Sequence, residues 1–490
     1  MIHVLYGFNE FIVPMTISLF DPAGIAARPG PRYKAIADAL SDAVKMGMAA
    51  PGTKLPPLRD LAYRLGVTVG TVSRAYALAA SRGEVTGEVG RGTYVRNRNA
   101  RGGAGAGVGA AAFHALPDAM QAAMKAALPA PVGQAEILGA AMRRLLDTLS
   151  DMPGRSPFNS YPPVGGAPHQ RAMAAKWIAH GAFAPDAEEL VICSGTQQAI
   201  LTAVLGTTEP GDTILTEALT YTAMVNQAAS VGRRAAPVDI DEEGLVPQAL
   251  DRMARETGAR TVFVVPTLHN PTGAIMSEQR RRDIVDVART HGLAIIEDDI
   301  YGKLVDDRPP TIAGFYPEGT WYATSLAKTV ACGLRIGFLR PPSAQLERAR
   351  AIQYGFGQTV PPLIADLAAM LIESGDADML TARQIEETRA RHAMLCEALP
   401  DSDIATHDTA PYAWLALPDA WRAHIFAEAA RARGLALAAG EDFMVGRIDR
   451  ASRHVRLALG QPQTRDELAT GLAIVAELLK SGPISSSLVA

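Results

Sequence analysis

Between Arg98 and Ala112 the chain is built almost wholly from Gly, Ala, Arg and Asn, with Gly102, Gly103, Gly105, Gly107 and Gly109 close together. Such a run has no periodic apolar face to bury, and the backbone freedom of its glycines makes it costly to order, so it reads as a flexible linker. The 490 residues therefore cannot share one continuous core. They divide into a small segment before the run and a large body after it, about 260 residues of which suit an α/β domain.

Charge also separates the two parts. Residues 31–97 hold ten Lys/Arg against five Asp/Glu, although the whole chain carries a net charge of −4. A basic module is thus tied to an acidic body. Contact with a polyanion and an ordinary solvated charged face both explain such a bias, so local pattern has to decide. With 48% apolar and 20% charged residues the chain can bury a sizeable core, which excludes a disordered or collagen-like protein. Cys193, Cys332 and Cys396 offer neither a zinc spacing nor a disulfide framework, in keeping with a reducing cytoplasm. No apolar run reaches the roughly 18 uninterrupted residues of a membrane helix, and no basic leader precedes the apolar N-terminus, so neither span nor signal peptide is expected.

The basic module has a readable order. Ile36, Ala39, Leu40, Ala43 and Val44 fall at helical spacing between Tyr33 and Met46, and Pro51-Gly52 follows that helix. Leu58 to Leu65 predicts a short second helix, Gly66 a tight turn, and Thr68 the N-cap of a third helix running to about Ser81. From Glu84 to Val95, apolar residues around Gly87, Gly90 and Gly92 predict a β-hairpin carrying Arg91. Pro51-Gly52-Thr53-Lys54-Leu55-Pro56-Pro57-Leu58-Arg59, Leu65-Gly66-Val67-Thr68, Gly70-Thr71-Val72 and Gly90-Arg91-Gly92-Thr93-Tyr94-Val95 together resemble the winged helix-turn-helix of GntR-type transcription regulators. That resemblance implies a DNA-binding domain over 31–97, with Arg59, Thr68, Gly70, Thr71, Ser73 and Arg91 at the duplex and Arg74 beside them. Val69 stands where many relatives have a base-reading arginine.

Beyond the run, apolar strands alternate with helices, as in an α/β domain on a mainly parallel sheet. Leu190 to Cys193, Thr213 to Glu217, Val262 to Pro266, Leu293 to Glu297 and Arg335 to Leu339 read as strands. Gln197 to Leu205 and Glu278 to His291 read as helices. A long helix from about Gly375 leads to a smaller α+β region with strands at Tyr412 to Leu417 and His454 to Ala458. Polar residues gather where these strands end. Ser194-Gly195-Thr196 opens a helix and could hold a phosphate on its N–H groups. Asn270-Pro271-Thr272-Gly273, Asp298-Asp299-Ile300-Tyr301 and Ser325-Leu326-Ala327-Lys328 follow strands, and Arg335 comes soon after; each alone is also an ordinary turn or surface group.

In this order the motifs resemble the fold type I pyridoxal phosphate enzymes of the aspartate aminotransferase superfamily. The resemblance implies residues 113–490 as a cofactor-binding body, with a large domain to about residue 375 and a small domain after it. It implies Lys328 as the amine that joins the cofactor aldehyde and Asp298 as the carboxylate that keeps the ring nitrogen protonated. It places Asn270 and Tyr301 at the ring oxygen, Tyr221 on the ring face, and Gly195, Thr196, Ser325 and Arg335 at the phosphate. Arg456 would take an α-carboxylate as a bidentate pair. Ala327, Ala218-Leu219 and Cys332 depart from the family pattern, which implies weaker cofactor retention.

The whole arrangement of basic module, Gly-rich linker and aminotransferase-like body resembles the MocR subfamily of regulators. This implies a homodimer that binds promoter half-sites on double-stranded DNA, with pyridoxal 5′-phosphate as cofactor and an amino acid, an amine or pyridoxal phosphate itself as effector. A catalytically active aminotransferase with an accessory DNA-binding domain is the alternative.

Overall fold

The computed structural model describes residues 20, 22–28, 30–45, 55–81, 85–88, 92–95, 122–150, 161–356, 359–446 and 449–482. The chain divides into two compact units, Met1–Ala104 and Gly105–Ala490. The Gly-rich run 98–112 and Arg91 lie outside the described residues.

The N-terminal unit contains α1 (Pro22–Ala27), α2 (Arg32–Lys45), α3 (Leu58–Leu65), α4 (Val69–Ser81), β1 (Val85–Glu88) and β2 (Gly92–Val95). α3 stops at Gly66, which adopts the left-handed conformation at φ 63 and donates its N–H to the last turn. α4 starts three residues later, at Val69, because Thr68 Oγ1 accepts the Thr71 N–H at 3.2 Å, an N-cap. Leu61 and Ala62 of α3 meet Val72, Ala75, Tyr76 and Ala79 of α4 over Ile36 and Leu40 of α2. The antiparallel β1–β2 hairpin pairs Val85 with Val95 and buries both in the same core. One boundary needs correction. The core begins before Pro31: Phe20 and Ile25 are buried in it, and Arg28 pairs with Asp42 at 2.8 Å.

In the body, β4 (Val191–Cys193), α5 (Thr196–Thr207), β5 (Thr213–Glu217), β6 (Arg234–Val238), β7 (Thr261–Val264), β8 (Ala294–Asp298), β9 (Thr320–Ser325) and β10 (Gly337–Arg340) build the large domain. The seven strands lie in the order β4-β10-β9-β8-β7-β5-β6, and β10 alone runs against its neighbours. β7 and β8 are almost wholly buried, which is why β7 reads as apolar from Val262 and β8 as apolar up to Glu297. The strand expected from Arg335 begins only at Gly337, because Arg335 is left-handed at φ 52 and cannot continue a strand.

The second core lies around α6 (Asp376–Ala398) and a sheet of β11 (Ile404–Ala405), β12 (Tyr412–Ala416), β13 (Leu435–Ala439) and β14 (His454–Ala458). Its fifth strand comes from the start of the body: β3 (Ala122–Met124) pairs in parallel with β13, Ala122 opposite Leu435. The expected division into a large domain to about residue 375 and a small one after it is therefore not sequential. The first described residues of the body belong to the small-domain sheet. Among the described residues no helix is long and apolar enough to cross a membrane, and no cluster of His, Cys, Asp or Glu could hold a metal ion.

Candidate cofactor site

β4, β7, β8 and β9 all run in one direction, so their carboxyl ends share one edge of the sheet, the usual place for a ligand in such folds. After β4 the chain turns at Gly195, φ 80, and Thr196 opens α5 with its N–H groups pointing out of the turn. A side chain at Gly337 would stand 2.5 Å from the Gly195 carbonyl carbon, so close packing of β10 against this turn requires glycine there. The Arg335 guanidinium lies over the turn, with Nη2 3.5 Å from the Ser194 carbonyl and 2.8 Å from where a Gly195 Cβ would sit. Thr196 Oγ1 is buried without a hydrogen-bond partner among the described residues. A left-handed arginine, a bare helix start and an orphaned hydroxyl together suit a phosphate. Ser325 ends β9, and its Oγ accepts the Ala327 N–H at 3.2 Å.

Two titratable groups face each other below this cradle. Burial pushes the Asp298 carboxyl up to about 7, against its hydrogen bond from the Ile300 N–H at 3.2 Å. Burial, aided by the nearby Arg456 and Arg335 and opposed by Cys332 and Asp298, brings the Lys328 amine down to about 8. Lys328 Nζ donates to the Ala127 carbonyl. The charges of Asp298, Arg335 and Arg456 act on Tyr221 as well, and those of Asp298 and Arg456 on Tyr301. Burial raises both phenols.

Tyr221 caps the helix Thr222–Ser230, and its hydroxyl accepts from Gln197 Nε2 at 2.8 Å. Tyr301 is buried edge-on against Tyr412, ring centroids 5.5 Å apart. Arg456, on β14, reaches across from the small domain. Its Nη1 donates to Asn270 Oδ1 at 2.7 Å and its Nη2 to the Lys125 carbonyl at 2.5 Å. The guanidinium carbon lies 4.6 Å from the Phe443 ring centroid, and Nε is buried without a partner among the described residues. Burial lowers its pKa from the ordinary arginine value.

Contacts join Arg335 to the Ser194–Gly195 turn and Arg456 to Asn270. Sequence reading missed four contributors. Gln197 directly follows the Ser194-Gly195-Thr196 turn and could have been found from its neighbour Thr196. Lys125 and Ala127 act through backbone carbonyls, which leave no side-chain signature. Buried His269, one residue before Asn270, bonds the Leu219 carbonyl at 3.0 Å and Thr272 Oγ1 at 2.7 Å, tying the Tyr221 loop to the Asn270 loop. Leu219, where the family pattern has proline nearby, forms a bridge with Met444 of the small domain.

In the N-terminal unit, Arg59, Thr68, Gly70, Ser73 and Arg74 are exposed and Thr71 is half-buried. Arg59 lies on α3 and the others at or in α4.

Residues 111–472 match the family described as aminotransferase class I and II. The chain belongs to the class I and II aminotransferase family. Residues 32–95 match the bacterial regulatory proteins of the gntR family, so this aminotransferase-family chain has the two-part arrangement of the MocR subfamily. It is 29% identical over 452 residues to an uncharacterized HTH-type transcriptional regulator, YdeF of Bacillus subtilis, covering 92% of this chain and 94% of that protein. It is 32% identical over 265 residues to a probable N-succinyldiaminopimelate aminotransferase, DapC of Mycobacterium tuberculosis, covering 51% of this chain and 65% of that protein. The fold is shared with the α-aminoadipate aminotransferase LysN of Thermus thermophilus, TM-score 0.66 at 24% identity over 74% of this chain and 92% of that one. Membership of this family implies pyridoxal phosphate as cofactor, and the cradle described above fits it.

Proposed function

We propose that this chain is a cytoplasmic transcription regulator that binds duplex DNA as a homodimer, and that its body, loaded with pyridoxal phosphate, senses an amino acid, an amine or pyridoxal phosphate itself. The observation that carries the reading is the joining of a gntR-family helix-turn-helix to a complete aminotransferase-family cradle, over nearly the same span as an HTH-type relative. Pyridoxal phosphate, when bound, supplies an aldehyde carbon and an electron-withdrawing ring. In this reading the N–H groups at the start of α5, the Thr196 hydroxyl, Ser325 and Arg335 hold the phosphate. Asp298 holds a proton at the ring nitrogen, and Asn270 and Tyr301 bind the ring oxygen. Tyr221 covers the ring face. Lys328, its amine brought down to about 8, is about one-tenth unprotonated at pH 7, far more than an ordinary lysine. Arg456 receives a carboxylate, which satisfies its orphaned Nε and competes with the Lys125 carbonyl for its terminal nitrogens.

The N-terminal unit, with Arg59, Thr68, Gly70, Thr71, Ser73, Arg74 and Arg91, contacts the DNA. Affinity should fall steeply with salt through counterion release, and Arg59→Ala should weaken binding and reduce the salt slope by about one while leaving the cofactor absorbance unchanged. Equal binding by a body lacking residues 1 to 100 would remove the role assigned to the N-terminal unit.

A second reading, a turning-over aminotransferase with a DNA tether, is favoured by one observation: the charges of Asp298 and Arg456 both act on the Lys328 amine.

A further inference from the structure

The first turn of α4 presents apolar and minimal side chains to solvent. Val69 is 43% exposed, and Gly70, Ser73, Arg74 and Ala77 share that open side, while Val72, Ala75, Tyr76 and Ala79 close the core on the other. The fold does not require glycine at position 70. A Cβ there would meet only Thr68 Oγ1, at 3.8 Å, in ordinary contact. Helical glycine is less stable than alanine, so stability is given up at an exposed position where nothing among the described residues fills the space. Bare backbone at such a place suits the close approach of another surface. Arg59 and Arg64 on α3 and Arg74 on α4 are exposed as well, and their charge fits a polyanion.

In helix-turn-helix proteins the N-terminal residues of the second helix meet base edges in the major groove. Reading a purine edge there takes a side chain with two spaced polar groups, such as Arg, Asn or Gln. The first turn here holds Val69, Gly70, Thr71 and Val72, none of which has them. The Thr71 hydroxyl is already bonded to Thr68 Oγ1 at 2.9 Å. The apolar group of a natural major groove is the thymine C5 methyl. We infer that Val69, with the open Gly70 backbone beside it, is a specificity-determining contact to a thymine methyl in each half-site. The inference rests on the DNA-binding reading proposed above.

The test uses the full-length protein to select duplexes from a randomised pool. The Kd is then measured on a selected duplex with each thymine in turn replaced by deoxyuridine, which removes the methyl alone. One position per half-site should lose about fourfold, the value of one buried methyl. Val69→Ser should bind the thymine and uracil forms of that position equally. Gly70→Ala should weaken binding to the same duplex without lowering the protein's thermal midpoint. The inference is overturned, with DNA binding left standing, if no uracil position matters, if Val69→Ser keeps the wild-type difference, or if Gly70→Ala binds as well as wild type. Failure to select or bind any duplex overturns the DNA-binding reading itself.

Discussion

Replacing Asp298 by Asn keeps the side chain's shape and an oxygen to accept the Ile300 N–H, but removes its charge. In cofactor-free protein, burial raises the carboxyl from 3.8 to about 7. Because the folded value lies above the unfolded one, ionisation penalises the folded state. The penalty is absent below the unfolded value, grows as pH rises between the two, and is complete above the folded one. Three units correspond to about 4 kcal/mol, of which about 2.5 kcal/mol falls between roughly pH 5 and pH 8. The asparagine variant escapes it. Glu297, also raised to about 7 by burial, loses stability over the same interval in both proteins and cancels in the comparison. The four tryptophans, Trp177, Trp321, Trp414 and Trp421, all belong to the body, so their fluorescence in urea follows its unfolding without the N-terminal unit. The cofactor-free variant should therefore gain on wild type by about 2.5 kcal/mol across that pH range, while holding pyridoxal phosphate less firmly. A stability gap that does not change with pH, or one that moves in favour of wild type, would refute the argument that Asp298 is a buried charge waiting for a cationic partner.

Lys328→Ala should abolish the covalent retention of pyridoxal phosphate that borohydride otherwise makes permanent, with wild-type attachment rising through a midpoint near pH 8; peptide mapping that finds the cofactor on another lysine contradicts the assignment. Phe20→Ala should cost the N-terminal unit about 3 to 5 kcal/mol, as for other buried aromatic truncations, and DNA binding should be lost at lower temperature; unchanged thermal loss would mean that the core does not extend ahead of residue 31.

The site was legible where polar residues break a buried apolar strand. Asp298 ends β8 and Lys328 closely follows β9, so local pattern and chemistry coincide. The helix-turn-helix was legible for a similar reason, since Gly66 and Thr68 mark the turn and the cap as well as the spacing does. α1 was not, because a helix of six residues is too short to show a period, and Phe20, Ile25 and the Arg28–Asp42 pair that help to fix its place are tertiary contacts. The strand Ala122–Met124 was not, because its partner Leu435–Leu437 is remote in sequence and three small apolar residues carry no register. Arg335 was misplaced in a strand. Its alternation with Ile336 looks extended, but its backbone is left-handed at φ 52 and the strand starts only at Gly337, which packs against Gly195.

The central claim is that one ligand moves both halves of the protein, and a paired titration tests it most directly. Full-length protein loaded with pyridoxal phosphate is titrated with amino acids, amines and further pyridoxal phosphate, following cofactor absorbance and DNA affinity in parallel, with keto acid measured at each point. A ligand can change DNA affinity only through unequal binding to two conformations, about 1 to 3 kcal/mol for a typical effect of 5- to 150-fold. The account predicts a compound that shifts absorbance and DNA affinity over the same concentration range. If that compound has a carboxylate, Arg456→Ala should weaken both responses together. Rapid multiple turnover to keto acid, with DNA affinity unmoved by every compound that perturbs the cofactor, would contradict it.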